Sequence, residues 1–203
     1  MRKQLSSTMP RVLILGIGNI LWADEGFGVR TVEAFHQAYS VPDNVTILDG
    51  GTQGLYLVQF VAETHYLIVF DAIDYGLAAG TLKIIENDEV PKFTGAKKMS
   101  LHQTGFQEVL SAADLLGRYP AKLALIGCQP VELENWGGPL TEPVKAVIPE
   151  AIRKAVTVLK RWGIDVRVRS GGTVPSLLGN DLDFDHYERR AEPAAFDHLR
   201  RTP

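Results

Sequence analysis

The sequence predicts a three-layer α/β/α domain, with a mostly parallel, roughly five-stranded twisted sheet covered by helices on both faces. Three observations carry this expectation. Short, branched apolar runs such as residues 12–15 and 66–70 stop at glycines or acids, as strands buried on both faces do. Segments with apolar residues at helical spacing alternate with those runs. Acidic residues fall where strands end or helices begin, and in open α/β sheets ligands bind beyond the carboxyl ends of the strands.

The first unit, residues 11–30, organises the rest. Its strand at 12–15 gives way to Gly16 and Gly18, which allow a sharp turn, and Asp24 and Glu25 precede a helical pattern. In that helix Val29, Val32, Phe35 and Tyr39 form the apolar face, and Arg30, Glu33 and Gln37 are expected on the solvent side. Residues 45–48 read as a second strand ending at Asp49-Gly-Gly-Thr-Gln-Gly54, followed by a helical pattern over 55–63. The third strand, 66–70, is the most hydrophobic and closes on Asp71. Residues 81–85 alternate weakly and read as an edge strand. After a lysine-bearing loop come Ser100-Leu-His102 and a helix marked by Phe106, Val109, Leu110, Ala113 and Leu116, which Gly117 can end.

A fifth strand over 122–127 precedes Cys128-Gln-Pro130. The last helix spans about 141–162, with Thr141 as N-cap and Gly163 as its stop, and Pro149 is expected to kink or divide it. The organisation expected is a polar extension at 1–10, one α/β domain at 11–163, and a charged tail with Gly and Pro at 164–203 that is loosely packed or poorly ordered.

Composition removes several classes of function. With 203 residues and 45% hydrophobic content the chain can bury a substantial core. A net charge of −3 gives no basic footprint for nucleic acid. The longest uncharged stretch, 12–23, falls short of the roughly 20 apolar residues of a membrane helix, and residues 1–10 lack the apolar core of a secretory signal. The single Cys128 excludes an internal disulfide and a Cys-only metal cluster and agrees with a reducing compartment. A cytoplasmic protein is expected.

Glu25, Asp49, Asp71 and His102 each follow an expected strand or open a helix, so the topology can bring them to one edge. Two carboxylates and an imidazole make a mixed oxygen and nitrogen site that suits a divalent transition metal and leaves positions open for water or substrate. Ordinary structural roles compete with that reading: a first-turn acid for Glu25, an Asx turn for Asp49, a strand-end cap for Asp71 and a helix-start residue for His102. A dinucleotide site meets two objections. Leu21 stands where the third glycine of G-x-G-x-x-G belongs, and Asp24 and Glu25 would repel the pyrophosphate at the helix start.

On these residues the chain resembles the hydrogenase maturation endopeptidases, which trim the carboxyl-terminal peptide from the large subunit of nickel-iron hydrogenases. The resemblance is collinear over about residues 11–163. It comprises Gly16-Ile-Gly-Asn-Ile-Leu with Asp24-Glu25 and Gly28-Val-Arg30, then Asp49-Gly-Gly-Thr-x-Gly54, Asp71-Ala, Ser100-x-His102-Gln with Gly105, and Gly127-x-Gln-Pro130.

It implies a nickel-contacting and catalytic triad of Glu25, Asp71 and His102. The nickel would belong to the precursor's nascent active site and be read before cutting. The large-subunit precursor is the implied partner, and no organic cofactor is implied. Asp49, Gly50, Gly51 and Thr52 are expected to contact substrate through a loop whose backbone N–H groups an extended peptide can approach. Whether hydrolysis uses a nickel-polarised carbonyl, a metal-bound water, or Asp24 or Asp49 as base is left open at this level. So are a nickel-delivery module without peptidase activity and a Rossmann-like nucleotide-binding enzyme. His36, His65, His186 and His198 have no comparable placement and are read as surface or packing residues, and Trp136 is read as either a partner anchor or a cover for the core.

Overall fold

The computed structural model describes residues 9–90, 101–171, 174–178, 182 and 188, with 101–104 described by backbone alone. Strand β1 (Val12–Ile17) lies inside the sheet, between two parallel neighbours. All six of its residues are buried because their side chains alternate between two cores. Val12 and Ile14 enter one cluster, while Leu13, Leu15 and Ile17 enter the other. A continuous apolar run is what covering both faces demands.

Strands β2 (Tyr39–Ser40), β3 (Val45–Gly51), β4 (Tyr66–Ala72), β5 (Leu82–Glu86), β6 (Lys122–Cys128) and β7 (Arg167–Val168) complete the set. Five of them form one sheet in the order β3-β1-β4-β6-β5. The first four run parallel, and β5 pairs antiparallel with β6 at the edge, as its weak alternation leads one to expect.

Helices α1 (Phe27–Ala38) and α4 (Glu142–Arg161) cover one face through Phe27, Val32, Phe35, Val144, Ile148 and Leu159. The short α2 (Val58–Ala62), the turn before it and α3 (Leu101–Leu115) cover the other through Leu57, Val61, Phe106, Val109, Leu110 and Ala113. The three-layer α/β/α architecture expected from the sequence is the one observed. The start of α1 lies directly on the sheet because glycines meet there. A Cβ on Gly28 would fall 2.2 Å from the carbonyl oxygens of both Ile17 and Phe70, and one on Gly16 would fall 2.4 Å from the oxygen of Gly28.

Three local expectations need correction. Arg30 and Glu33 do not face solvent: Arg30 is fully buried and Glu33 nearly so, because later residues of the chain lie over that side of α1. Pro149 sits on the exposed side of α4 and does not divide it. The buried stripe continues from Val144 and Ile148 to Ala151, Ile152 and Ala155, holding the helix together across the missing donor. Leu116 is exposed, since α3 has already ended at Leu115. Gly117 and Gly163 do take the left-handed conformation at the two helix ends.

Some residues beyond the last helix are tied to the domain. Strand β7 pairs with β2 in a two-stranded ribbon, and Leu177 rests on the first core cluster. Residues 1–8 and the rest of the tail, His186 and His198 included, lie outside the described residues. Among the described residues, no helix is long and apolar enough to cross a membrane.

Candidate active site

The acidic pair after β1 separates into two different environments. A tight turn, Ala23–Gly26, carries both residues. Gly18 admits this turn, since a Cβ there would fall 1.8 Å from the carbonyl oxygen of Glu25. Ala23 is held at φ +41°, a conformation that side-chain-bearing residues seldom adopt.

Asp24 is fully buried and spends its carboxylate on four donors. The backbone N–H groups of Val131 and Glu132 donate to Oδ2 at 2.8 and 3.0 Å, and Thr141 donates its N–H to Oδ1 at 2.7 Å and its hydroxyl to Oδ2 at 2.9 Å. Thr141 thus stands at the N-cap of α4 with its hydroxyl turned to Asp24 rather than to the helix. Glu25, the other member of the pair, is half-buried.

Asp71 is buried at the carboxyl end of β4, opposite Gly127 of β6. It shares strand parity with Leu67 and Val69, both in the cluster beneath α2 and α3, so its side chain leaves the sheet on the α3 side. The turn bearing Glu25 packs against β4. His102 is the second residue of α3, and its side chain lies outside the described residues. One turn further along, Gly105 meets the loop after β3, with its virtual Cβ 3.6 Å from Gly54 Cα. The turn of Glu25 thus lies against β4, whose end bears Asp71, and the start of α3 reaches the carboxyl edge of the sheet beside the loop after β3. Among the described residues, no three His, Cys, Asp or Glu side chains form a metal-holding group.

Asp49 reaches the same edge by the opposite face. It shares parity with Val45 and Ile47, on the α1 side. Its Oδ1 accepts the Gly51 N–H at 2.9 Å, the Asx turn allowed for from sequence, and this fixes the start of the glycine loop. Burial pushes its carboxyl above the ordinary value, offset by the Gly51 hydrogen bond; Glu33 adds to the rise and Arg30 opposes it. The backbone at Gly51 is also tied to β1, because Gly18 donates to the Gly51 carbonyl at 3.0 Å.

Two supporting groups escaped the sequence reading. Gln129, buried after β6, accepts the Tyr75 and Leu77 N–H groups at 2.7 and 3.1 Å and donates to Asp74 at 3.0 Å, which fastens the loop after Asp71. Its place in the Gly127-x-Gln-Pro130 motif was the available signal. Glu188 had none: it accepts Arg30 Nε at 2.9 Å and the Leu140 N–H at 2.8 Å. Arg30 also donates to Glu33 at 3.1 Å and to the Leu182 carbonyl at 2.6 Å. The thiol of Cys128 is fully buried and pushed up by that burial to about 12, so it stays protonated. His36 and His65 contact the Pro175 carbonyl and the Arg11 N–H, as packing residues do. Trp136 stands half-exposed with its ring edge-on to Trp22 at 5.1 Å.

The chain has relatives among known proteins. The family described as hydrogenase maturation protease matches residues 29–158, a span that includes Asp49, Asp71 and His102. The chain is 73% identical over 189 residues to the hydrogenase expression/formation protein HupD of Rhizobium leguminosarum bv. viciae, covering 93% of this chain and 94% of that one. It is 45% identical over 157 residues to the hydrogenase 2 maturation protease of Escherichia coli K12, covering 76% of this chain and 94% of the relative. Among solved structures it is similar to the hydrogenase maturating endopeptidase HybD of E. coli. That likeness has a TM-score of 0.74 and 43% identity, and covers 78% of this chain and 98% of the other.

Proposed function

Because the chain belongs to the hydrogenase maturation protease family, we propose that it removes the carboxyl-terminal peptide from the large-subunit precursor of a nickel-iron hydrogenase, reading the nickel already inserted there before it cuts. The observation that supports this reading is that the Glu25 turn packs on β4, whose end bears Asp71, while α3, which begins near His102, reaches the same edge of the sheet where Gly105 approaches Gly54. Oxygen donors from two carboxylates and a nitrogen donor from an imidazole suit a nickel ion presented by the substrate, and three contacts leave room for the precursor's own ligands. Nickel in that position supplies Lewis acidity toward a peptide carbonyl or a water.

The chain's own acids divide the remaining work. Asp24, fully buried with both oxygens engaged by four donors, holds the loop over 131–141. Asp49, raised by burial, has the carboxyl chemistry of a base, and by accepting the Gly51 N–H it anchors the loop of Gly50, Gly51 and Thr52 that an extended peptide would meet. Peptidase membership leaves the nickel-delivery and nucleotide-enzyme readings without support. The low net charge and single cysteine favour a cytoplasmic setting and a protein partner over a nucleic acid.

The test is incubation with nickel-loaded and metal-free precursor, followed by mass. Only loaded precursor should lose its tail. His102→Ala should abolish that loss while the protein stays folded, since it removes a nitrogen donor without adding charge. Equal cleavage of both precursor forms by the unmutated protein would defeat nickel reading, and full activity in the folded variant would take His102 out of the site.

A further inference from the structure

Two positions of the Gly127-x-Gln-Pro130 motif converge on one tyrosine. In the sheet register Asp71 of β4 pairs with Gly127 of β6, and Gly127 pairs in turn with Lys83 of β5, so the three occupy one row across the strands. The row lies on the α3 side, since Val69, Leu125 and Ile85, two residues away along their strands, all enter the second core. Gly127 leaves the middle of the row without a side chain, and the Tyr75 phenol fills it. A Cβ on Gly127 would fall 2.1 Å from the phenol oxygen and 2.9 Å from the ring carbon that bears it. Adjacent strands are about 4.8 Å apart, which puts that oxygen within roughly 7 Å of the Asp71 Cβ. On the other flank, the Lys83 ammonium lies 5.1 Å from the ring centroid.

Gln129 fixes how Tyr75 enters that slot. Its Oε1 accepts the Tyr75 and Leu77 N–H groups at 2.7 and 3.1 Å, its Nε2 donates to Asp74 at 3.0 Å, and the Ile73 N–H donates to the Cys128 carbonyl at 2.8 Å. The chain leaving Asp71 is thereby folded back over the end of β6, with the phenol laid into the row. Burial above all, then the neighbouring Asp71 and Cys128, hold the phenol above its ordinary value of 10, so the hydroxyl stays a donor.

We propose that Tyr75 is a positioning residue for Asp71: when the precursor presents its nickel, the Tyr75 hydroxyl donates to one oxygen of the Asp71 carboxylate and turns the other toward the metal. The proposal rests on the protease reading above and adds a residue to its site. Asp71 is buried at a strand end, so a carboxylate oxygen that does not face the metal is kept from water. A donor held beside it offsets the lost hydration and selects one rotamer. The phenol brings that donor without a positive charge to repel the ion. Gly127 has its part because any side chain there would take the phenol's place.

Tyr75→Phe keeps the ring in its slot and deletes only the hydroxyl, so the variant should melt close to the unmutated protein. Rapid mixing with nickel-loaded and metal-free precursor reads binding before any cutting. The unmutated protein should bind the loaded form more tightly. Tyr75→Phe should shrink that preference about tenfold and lower kcat/KM for the loaded form to match, with binding of the metal-free form unchanged. An unaltered preference in the folded variant would overturn the proposal, and so would an equal loss toward both forms, which would make Tyr75 a structural residue. Gly127→Ala displaces the phenol from the row and, in a folded protein, should lose the same preference. Adding Tyr75→Phe to it should cost nothing further, and additive losses would refute the shared role; the Tyr75→Phe result decides even where Gly127→Ala does not fold. If the preference is present, falls in Tyr75→Phe, and no precursor is ever cut, the positioning role stands and the protease reading fails. Equal binding of both forms by the unmutated protein would remove nickel reading, and the proposal with it.

Discussion

Neighbouring carboxylates in this chain stand in different surroundings. Asp24 and Glu25 are adjacent in one turn, yet Asp24 is fully buried and shared among three backbone N–H groups and a hydroxyl. Asp24→Ala leaves those buried donors without their acceptor, each at a cost of about 1–3 kcal/mol, and a net loss of about 2–4 kcal/mol is expected after partial rearrangement. Thermal melting should show a drop of roughly 5–15 °C for a chain of this size. Glu25→Gln, nearly isosteric, should melt close to the unmutated protein while losing processing of loaded precursor. A melt for Asp24→Ala within a degree or two of the parent would contradict the clamp.

Asp49 adds a pH dependence of definite sign. Burial raises its folded pKa above the ordinary value of 3.8, so the folded state holds this proton more tightly than the unfolded chain. The resulting stabilisation is complete below the ordinary value and is lost as pH rises through the raised one, which makes the ionised carboxylate a net cost at neutrality. Asp49→Asn keeps an acceptor for Gly51 and removes the charge. It is expected to be at least as stable as the parent at pH 7, with the difference narrowing as melts are repeated toward pH 4. A variant clearly less stable at pH 7 would show that attraction to Arg30 outweighs desolvation.

Helix α1 shows how an element changes character when a second layer covers it. Arg30 and Glu33 have the i, i+3 spacing of a solvent-facing ion pair, and on an isolated amphipathic helix that would be their place. Here Leu182 and Glu188 cross over that side, and the guanidinium becomes the centre of a buried group joining α1 to the start of α4 through the Leu140 N–H. Removing one partner of a buried ion pair costs about 3–5 kcal/mol because the other charge stays desolvated. Glu188→Ala should approach the lower end of that range, since Glu33 remains beside Arg30. Urea unfolding measures it, and a midpoint equal to the parent's would mean that Glu188 contributes nothing to the fold.

For the molecule as a whole, the two core clusters lie almost entirely between Val12 and Ile164, with Val166 and Leu177 only partly buried against one of them. Truncation after Ser170 should therefore leave a chain that still unfolds cooperatively. It should also lose the Glu188 contact and the Ser176 hydrogen bond to Glu33, lowering stability by about 3–5 kcal/mol. An unchanged melting temperature would make the tail dispensable to the fold, and loss of a cooperative transition would make it part of the core.

The sequence by itself determined the layers, the strand segments and the arrival of Glu25, Asp49, Asp71 and His102 at strand ends and helix starts. Those features are written in local periodicity, where each residue's neighbours along the chain report whether one face or both are covered. Tertiary structure decided the rest, because it depends on partners distant in the chain. Asp24 meets Thr141 across 117 residues and Arg30 meets Glu188 across 158, and no local pattern announces either pairing. The faces from which Asp49 and Asp71 leave the sheet were likewise fixed only when helices packed on both sides. Charge can be counted from a sequence, but whether a charge stands in water or among four donors follows from what the folded chain lays over it.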